Sequence, residues 1–429
     1  MPNKDPRIFV PLNSVESYDW PWVDAQVSQV VEMWHRSATQ SPRCVRRYNA
    51  TEQSEREGAY DEALQAVEEN LQRTSPNQPE RIGAQEQVAA SFASFSAKAL
   101  DLDGESIELL TREFLPVGTE LAQWARRFDP GLRVWEIIQA ARNAWTACGL
   151  QPLLGVPVGL TPSILAYSLL YPYSDNYLDD EELSAEEKLQ FSQRFRCRLL
   201  GPTSPITDER ERAISALIAL IEGQYPRKDF PQVFESLLAI HQAQEQSIAQ
   251  LHGGDSEPLR LSCAKGGTSV LADACLARGS LTRQESQFAF LWGVLLQLGD
   301  DLQDVRDDMR RRSVTVFSKT AFNGRLLDGL TRQLLNFSEE VAQHMDDLPH
   351  GAASLKELLR MSWRSLIIRA VAESHEFFSP GFLEEAESCS PFRFDFLRAR
   401  SDRLASREGL YTALFEALLE SRPKCVPTN

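Results

Sequence analysis

Two short acidic stretches hold the residues best suited to chemistry. The first runs Tyr173-Ser174-Asp175-Asn176-Tyr177-Leu178-Asp179-Asp180. The second runs Gly299-Asp300-Asp301-Leu302-Gln303-Asp304-Val305-Arg306-Asp307-Asp308. Each sets aspartates four residues apart, Asp175 with Asp179 and Asp300 with Asp304. On an α-helix that spacing puts both side chains on one face, with Cβ atoms about 6 Å apart. Within the chain, aspartates recur at this spacing only once more, at 304/308 inside the second stretch. Bunched carboxylates repel one another, so without a counter-ion some would hold protons. Two such clusters facing each other would form a cage of hard oxygen donors. Mg²⁺ suits that cage, because it takes a few carboxylates, keeps several waters and shares its shell with substrate phosphates. The chemistry expected is metal-assisted departure of a diphosphate.

One such pair is a weak signal, since most are solvated helix faces. Placement strengthens it: the apolar runs 164–173 and 288–298 precede the two clusters, so each helix is predicted to be buried and to end in carboxylates. Basic partners are available. Lys265 sits in Ser262-Cys263-Ala264-Lys265-Gly266-Gly267-Thr268, predicted as a helix start whose amides favour anions. Arg306, Arg310, Arg311 and Arg312 follow the second cluster; for the three consecutive arginines a solvated helix end is the blander account. Ser168, Tyr171, Phe290, Trp292 and Gln297 lie one to three turns before the acidic ends and could line an apolar pocket. Such a pocket suits an allylic diphosphate, whose carbocation must be kept from water and steered by aromatic faces. The blander account of each aromatic is core packing.

These residues must be positioned by helices. Period-2 alternation and fixed-period repeats are lacking, so the class predicted is all-α, one large helical bundle. Helices are predicted at 23–37, 109–128 with an interruption near Pro116, and 134–149 with Gly149 as C-cap. Thr161-Pro162 opens the helix that carries the first cluster, with a kink at Pro172. Ser184 caps a helix to about residue 200, and others follow at 207–223, 231–252, 262–278, 282–308, 323–346, 352–379 and 391–420. Residues 1–100 read as an irregular and helical N-terminal extension packed on the core, and 101–429 as the catalytic domain.

Composition sets outer bounds. The 429 residues are 42% hydrophobic with a net charge of −16, which argues against nucleic acid and anionic membranes as main partners. Seven scattered cysteines without a CxxC pair fit a reduced protein. The first residues lack the apolar core of a signal peptide, and no apolar run approaches the ~20 residues of a membrane span. A cytoplasmic location is therefore expected.

Three stretches together resemble the class I isoprenoid synthase superfamily: Asp175-Asn176-Tyr177-Leu178-Asp179-Asp180, Lys265-Gly266-Gly267-Thr268-Ser269-Val270-Leu271 and Gln297-Leu298-Gly299-Asp300-Asp301-Leu302-Gln303-Asp304. Their order and the 125 residues from Asp175 to Asp300 are similar to that family. Upstream, Arg126-Arg127-Phe128-Asp129-Pro130-Gly131, Ala141-Arg142-Asn143-Ala144-Trp145 and Gln151-Pro152-Leu153-Leu154-Gly155 resemble the bacterial large-terpene branch typified by tetraprenyl-β-curcumene synthase. The likeness spans roughly residues 110–380. It implies a helical bundle around a central apolar cavity and a lyase that ionises a linear prenyl diphosphate with Mg²⁺, then cyclises, deprotonates or hydrates the cation. It also implies metal ligation by Asp175, Asp179, Asp300, Asp304 and Asp301, diphosphate contact by Lys265, and a possible homodimer. Arg306, Gln297, Tyr171 and Ser168 complete the expected substrate site. The alternative within the superfamily is a prenyltransferase joining two isoprenoid units. The aspartate-rich second motif leans toward it, whereas the lack of a DDxxD first motif leans away. Two other classes fit the residues less well. The familiar helical metal phosphohydrolase needs a His-Asp pair, and no histidine here precedes aspartate. A non-catalytic helical interaction protein would leave both acidic clusters on the surface.

Overall fold

Helix periodicity governs the fold: among the described residues every regular element is helical and none is a strand. The computed structural model describes residues 17–42, 46–73, 78–178, 183–201, 206, 208–251, 257–406 and 412. The side chains of some helical residues, Tyr171 and Asp175 among them, lie outside that description.

The chain begins with α1 (Trp20–Arg36), α2 (Ala50–Arg73), α3 (Gln78–Ala99) and the short α4 (Gly104–Glu108). A π-helical turn, Leu109–Phe114, leads into α5 (Leu115–Phe128), so the interruption expected near Pro116 is a wide turn directly before it. Next come α6 (Val134–Leu153), α7 (Pro162–Leu178), α8 (Ala185–Leu200), α9 (Glu209–Gln224) and α10 (Pro231–Leu251). The second half holds α11 (Pro258–Arg278), α12 (Arg283–Gln303), α13 (Val305–Arg311), α14 (Val316–Phe322), α15 (Asp328–Asp346), α16 (Ala353–Glu373), α17 (Pro380–Ser388) and α18 (Phe394–Ser406).

Polar side chains start these helices where the sequence marks them. Ser184 and Glu187 form a reciprocal capping box at α8, and Thr282 with Glu285 does the same at α12. Thr161 Oγ1 accepts from the Ile164 amide at 3.3 Å. Several boundaries differ from expectation, among them the helix expected over 352–379, which ends at Glu373. Gly149 does not end α6, which continues to Leu153; Gly149 is buried where an added Cβ would stand 3.3 Å from the Trp292 ring. The helix expected over 282–308 breaks at Asp304 into α12 and α13, because Asp304 leaves helical ψ. The helix expected over 323–346 starts at Asp328, after α14 and a left-handed Gly324. The helix expected from 262 starts at Pro258, which puts Lys265 about two turns inside it rather than at its amide end.

α11 is the centre of the bundle, packed against α12, α10, α6, α1 and α7. It is buried along most of its length, as expected of a helix enclosed on all sides. α1 belongs to this core: Val23, Val27, Val30 and Trp34 are buried in it, and Trp22 meets Phe290 edge-on at 5.9 Å. The α2–α3 pair instead docks on the C-terminal segment. The Tyr48 amide donates to Ser388 O, Gln53 Nε2 bridges Glu387 O and Ser390 O, and Arg393 pairs with Glu57. Cys148, Cys197, Cys263 and Cys275 are free thiols, but Cys389 is disulfide-bonded, so the expectation of a fully reduced set does not hold. No helix among the described residues is long and apolar enough to cross a membrane.

α11 and α12 touch backbone to backbone. A Cβ on Gly293 would stand 2.0 Å from Gly266 O, and one on Gly266 would stand 2.4 Å from Gln297 Cβ. Neither backbone can yield without moving a helix. Gly293→Ala is therefore expected to destabilise the protein by at least ~1–3 kcal/mol in urea denaturation. Gly223→Ala, where an added Cβ meets nothing within 4 Å, is expected to be neutral or to stabilise by up to ~1 kcal/mol.

Candidate active site

The close approach of α11 and α12 sets two polar rows beside each other. On α11, Lys265, Ser269 and Asp273 recur every four residues and line one cavity, spanning about 12 Å of helix. On α12 the polar lining residues are Gln297, Asp300, Gln303 and, just past its end, Asp304, with Gly293 and Leu296 beside them. Residues of α6, α7, α8, α10 and α16 close the cavity, whose volume is about 570 Å³, within the ~300–1,000 Å³ of small-molecule sites. Much of the remaining wall is apolar or aromatic, with Tyr167, Phe195, Leu237, Ile240, Trp363 and Leu366.

The acidic stretch divides its work. Asp300 lines the cavity and meets the Arg142 guanidinium of α6 at 3.3 Å. Burial raises its carboxyl above the ordinary range and nearby Asp304 adds to this, while Arg142 and Lys265 oppose it. Asp304 is raised too, by burial and by Asp307, against Arg142 and Arg311. Asp308 is pushed up to about 6, chiefly by burial, then by Asp301 and Asp304. Asp301 turns instead into the α11–α12 seam. Ser262 Oγ donates to it at 2.6 Å and Gln297 Nε2 at 2.8 Å, and burial holds it at about 6 despite both bonds. Its oxygens fasten the two helices rather than line the cavity.

The other expected site residues divide similarly. Lys265 and Gln297 reach the cavity. Ser168 is fully buried, its hydroxyl spent on Ile164 O at 2.8 Å. Arg306 points to α16 and beyond, with its guanidinium on Glu376 and Glu373 O. Phe290 and Trp292 are core: Phe290 fills the space above Gly267, and Trp292 packs on Trp363 at 5.5 Å. Asp179 and the side chains of Tyr171 and Asp175 lie outside the described residues. Around them the end of α7 is anchored. Ser174 lines the cavity, Tyr173 donates to Asp129 at 2.7 Å, and Arg210 stacks on Tyr177 at 3.9 Å. The Asp129 bond ties the α5–α6 turn to the first acidic stretch.

Arg142, Asp273 and His241 are among the cavity residues that the sequence did not mark as site residues. Arg142 was visible only as part of a motif. Asp273 was signalled by its step of four from Lys265 through Ser269 inside an apolar helix. His241 had no local signal; its Nε2 lies 3.1 Å from Ser192 O and 3.4 Å from Glu245, and its Nδ1 makes no hydrogen bond.

Among the described residues no three or more His, Cys, Asp or Glu side chains converge as a metal site. Asp300 and Asp304 still suit a hard divalent cation. Both are oxygen donors in the cavity wall, and both are raised by burial, a cost that a nearby cation reverses. Compared with known proteins, the chain matches no family model, no curated protein and no solved structure.

Glu245 borders this wall. Its carboxyl is lowered to about 2, first by the His241 bond and also by Ser192 at 2.6 Å, against burial. A depressed carboxyl stabilises the fold above its unfolded value, near 4.5, and loses that contribution as pH falls toward 2. Glu245→Gln is therefore expected to lower stability at pH 7 by about 1 kcal/mol, after allowance for its partial exposure. The gap to the native protein should close between about pH 4.5 and 2 in thermal melts followed by circular dichroism.

Proposed function

We propose that this cavity is the active site of a class I terpene synthase, which ionises a linear prenyl diphosphate and converts the allylic cation to a terpene with release of diphosphate. The observation that carries the reading is the meeting of Lys265, Arg142, Gln297, Asp300 and Asp304 on a cavity whose remaining wall holds Tyr167, Phe195, Leu237, Ile240, Trp363 and Leu366 beside polar residues such as Gln139, Asn143, Gln244 and Ser362. That division matches a ligand with a polyanionic head and a hydrocarbon tail. The motif resemblance points the same way.

In this reading Lys265 and Arg142 bind the diphosphate and offset its charge as the carbon–oxygen bond breaks. Gln297 holds the Asp301 carboxylate within α12, and Asp301 in turn accepts from Ser262 of α11 across the seam. Mg²⁺, when bound, would be held by Asp300 and Asp304, with Asp175 and Asp179 as the expected opposite wall, and would neutralise the leaving group. Tyr167, Phe195 and Trp363 in the wall would supply aromatic surface to the cation, with Leu237, Ile240 and Leu366 as apolar neighbours. No protein nucleophile is required, and the departing diphosphate can serve as a base. The setting proposed is the cytoplasm.

The test is diphosphate release, with and without Mg²⁺, from linear prenyl diphosphates of two to seven isoprene units, with mass analysis of the extract. The expected result is Mg²⁺-dependent release and a hydrocarbon or alcohol of unchanged carbon number. Asp300→Asn and Lys265→Ala should each lower kcat/KM by ~10²–10³-fold. Product formed only when a second isoprenoid is added would replace this reading with a prenyltransferase. Folded protein inactive on every chain length would end the enzymatic reading.

A further inference from the structure

Asp273 is the cavity residue that binding of a diphosphate leaves unexplained. It lies on α11 about 12 Å beyond Lys265, and it lines the cavity although only 1% exposed. Its carboxyl makes no hydrogen bond or ion pair with any described residue. This separates it from Asp301, whose oxygens accept from Ser262 and Gln297, and from Asp300, which meets Arg142. An unpartnered polar group in an apolar setting costs free energy on every folding event. Leu or Ala would fill the same site without that penalty, so the placement calls for a role inside the cavity.

We propose that the Asp273 carboxyl is an internal proton donor and acceptor, delivering a proton to a carbon–carbon double bond of the bound hydrocarbon and later taking one back. The inference rests on the isoprenoid reading above and goes beyond it, since ionisation alone needs no acid at this end of the cavity.

The step balances as follows. The first cation gives up a proton to the departing diphosphate and leaves a neutral polyene. The O–H bond of Asp273 then breaks as a C–H bond forms at one alkene carbon, with the π pair supplying the electrons. The other alkene carbon becomes a tertiary cation beside the new carboxylate. After ring closure the carboxylate takes a proton from a carbon next to the final cation. That C–H pair becomes a double bond, and Asp273 is again the neutral acid. Nothing is oxidised or reduced, and no co-reactant is consumed.

The surroundings support both halves of the cycle. Burial raises the carboxyl well above the usual range, which favours its protonated form. Once a cation forms, attraction between opposite charges in a low-dielectric cavity favours the carboxylate. Other titratable groups in the cavity wall are Arg142 on α6, Tyr167 on α7, His241 on α10, Lys265 on α11 and Asp300 with Asp304 on α12. Burial pushes the Cys148 thiol of α6 up to about 12, so it stays neutral.

The test is turnover in D₂O by the full-length protein with Mg²⁺ and whichever prenyl diphosphate it ionises, reading diphosphate release and carbon-bound deuterium separately. The native protein is expected to place deuterium at a non-exchangeable carbon of its product. Asp273→Asn keeps the shape of the side chain. It should release diphosphate within ~10-fold of native while the deuterated product falls by ~10²–10⁴-fold and an undeuterated polyene accumulates. Infrared difference spectra of the same two proteins should show a protonated-carboxyl band in the native chain that the variant lacks, whatever the substrate. A native product without carbon-bound deuterium overturns the proposal even if the variant does not fold. Undiminished deuteration by Asp273→Asn overturns it as well. Native protein that releases no diphosphate from any chain length instead removes the isoprenoid reading and this step with it, an outcome distinct from release without deuteration.

Discussion

The contact between Gly266 and Gly293 is the constraint on which the site depends. With no side chain between them, α11 and α12 lie so close that even a methyl group would meet backbone. At that distance neighbouring residues on the two helices share one cavity, Lys265 from α11 and Gln297 and Asp300 from α12. A wider crossing would bring apolar side chains between them and separate the cation from the carboxylates. The seam is held on one side by Ser262, Gln297 and Asp301 and on another by Gly267 under the Phe290 ring. Glycine is needed here for close approach rather than for an unusual backbone angle.

That geometry sorts the acidic residues by role. Asp300, Asp301, Asp304 and Asp308 occupy three successive turns and are all raised by burial, so crowding is shared among them. They differ in what they meet. Asp301 is consumed by the seam, whereas Asp300 and Asp304 face the cavity and the positive charge of Arg142. A chain with a net charge of −16 thus gathers Arg142 and Lys265 at one cavity, where a polyanion would find local attraction. Farther along α11, Asp273 lines the same cavity, and burial raises its carboxyl well above the usual range.

Much of this was legible in the chain itself. Thr161, Ser184 and Thr282 mark helix starts because a side-chain oxygen next to the first free amides is a local interaction. The step of four that aligns Asp300 with Asp304 is likewise a property of one helix. Errors arose where a distant partner decided. Gly149 resembled a helix end, but α6 runs through it because Trp292 packs against it. Lys265 beside two glycines resembled a helix start, yet those glycines serve the contact with α12.

Sequence alone determined the all-helical class, most helix starts and the two acidic stretches, because helix periodicity, capping and residue spacing act within a few residues of one another. Only the tertiary structure decided which of those residues meet. It joined Arg142 to Asp300 across 158 residues, turned Asp301 into the seam, sent Arg306 to Glu376 and left Asp273 without a partner in the cavity. These outcomes depend on how closely helices remote in sequence approach and which faces they turn inward. Both are set by packing of the whole core, to which no local pattern has access.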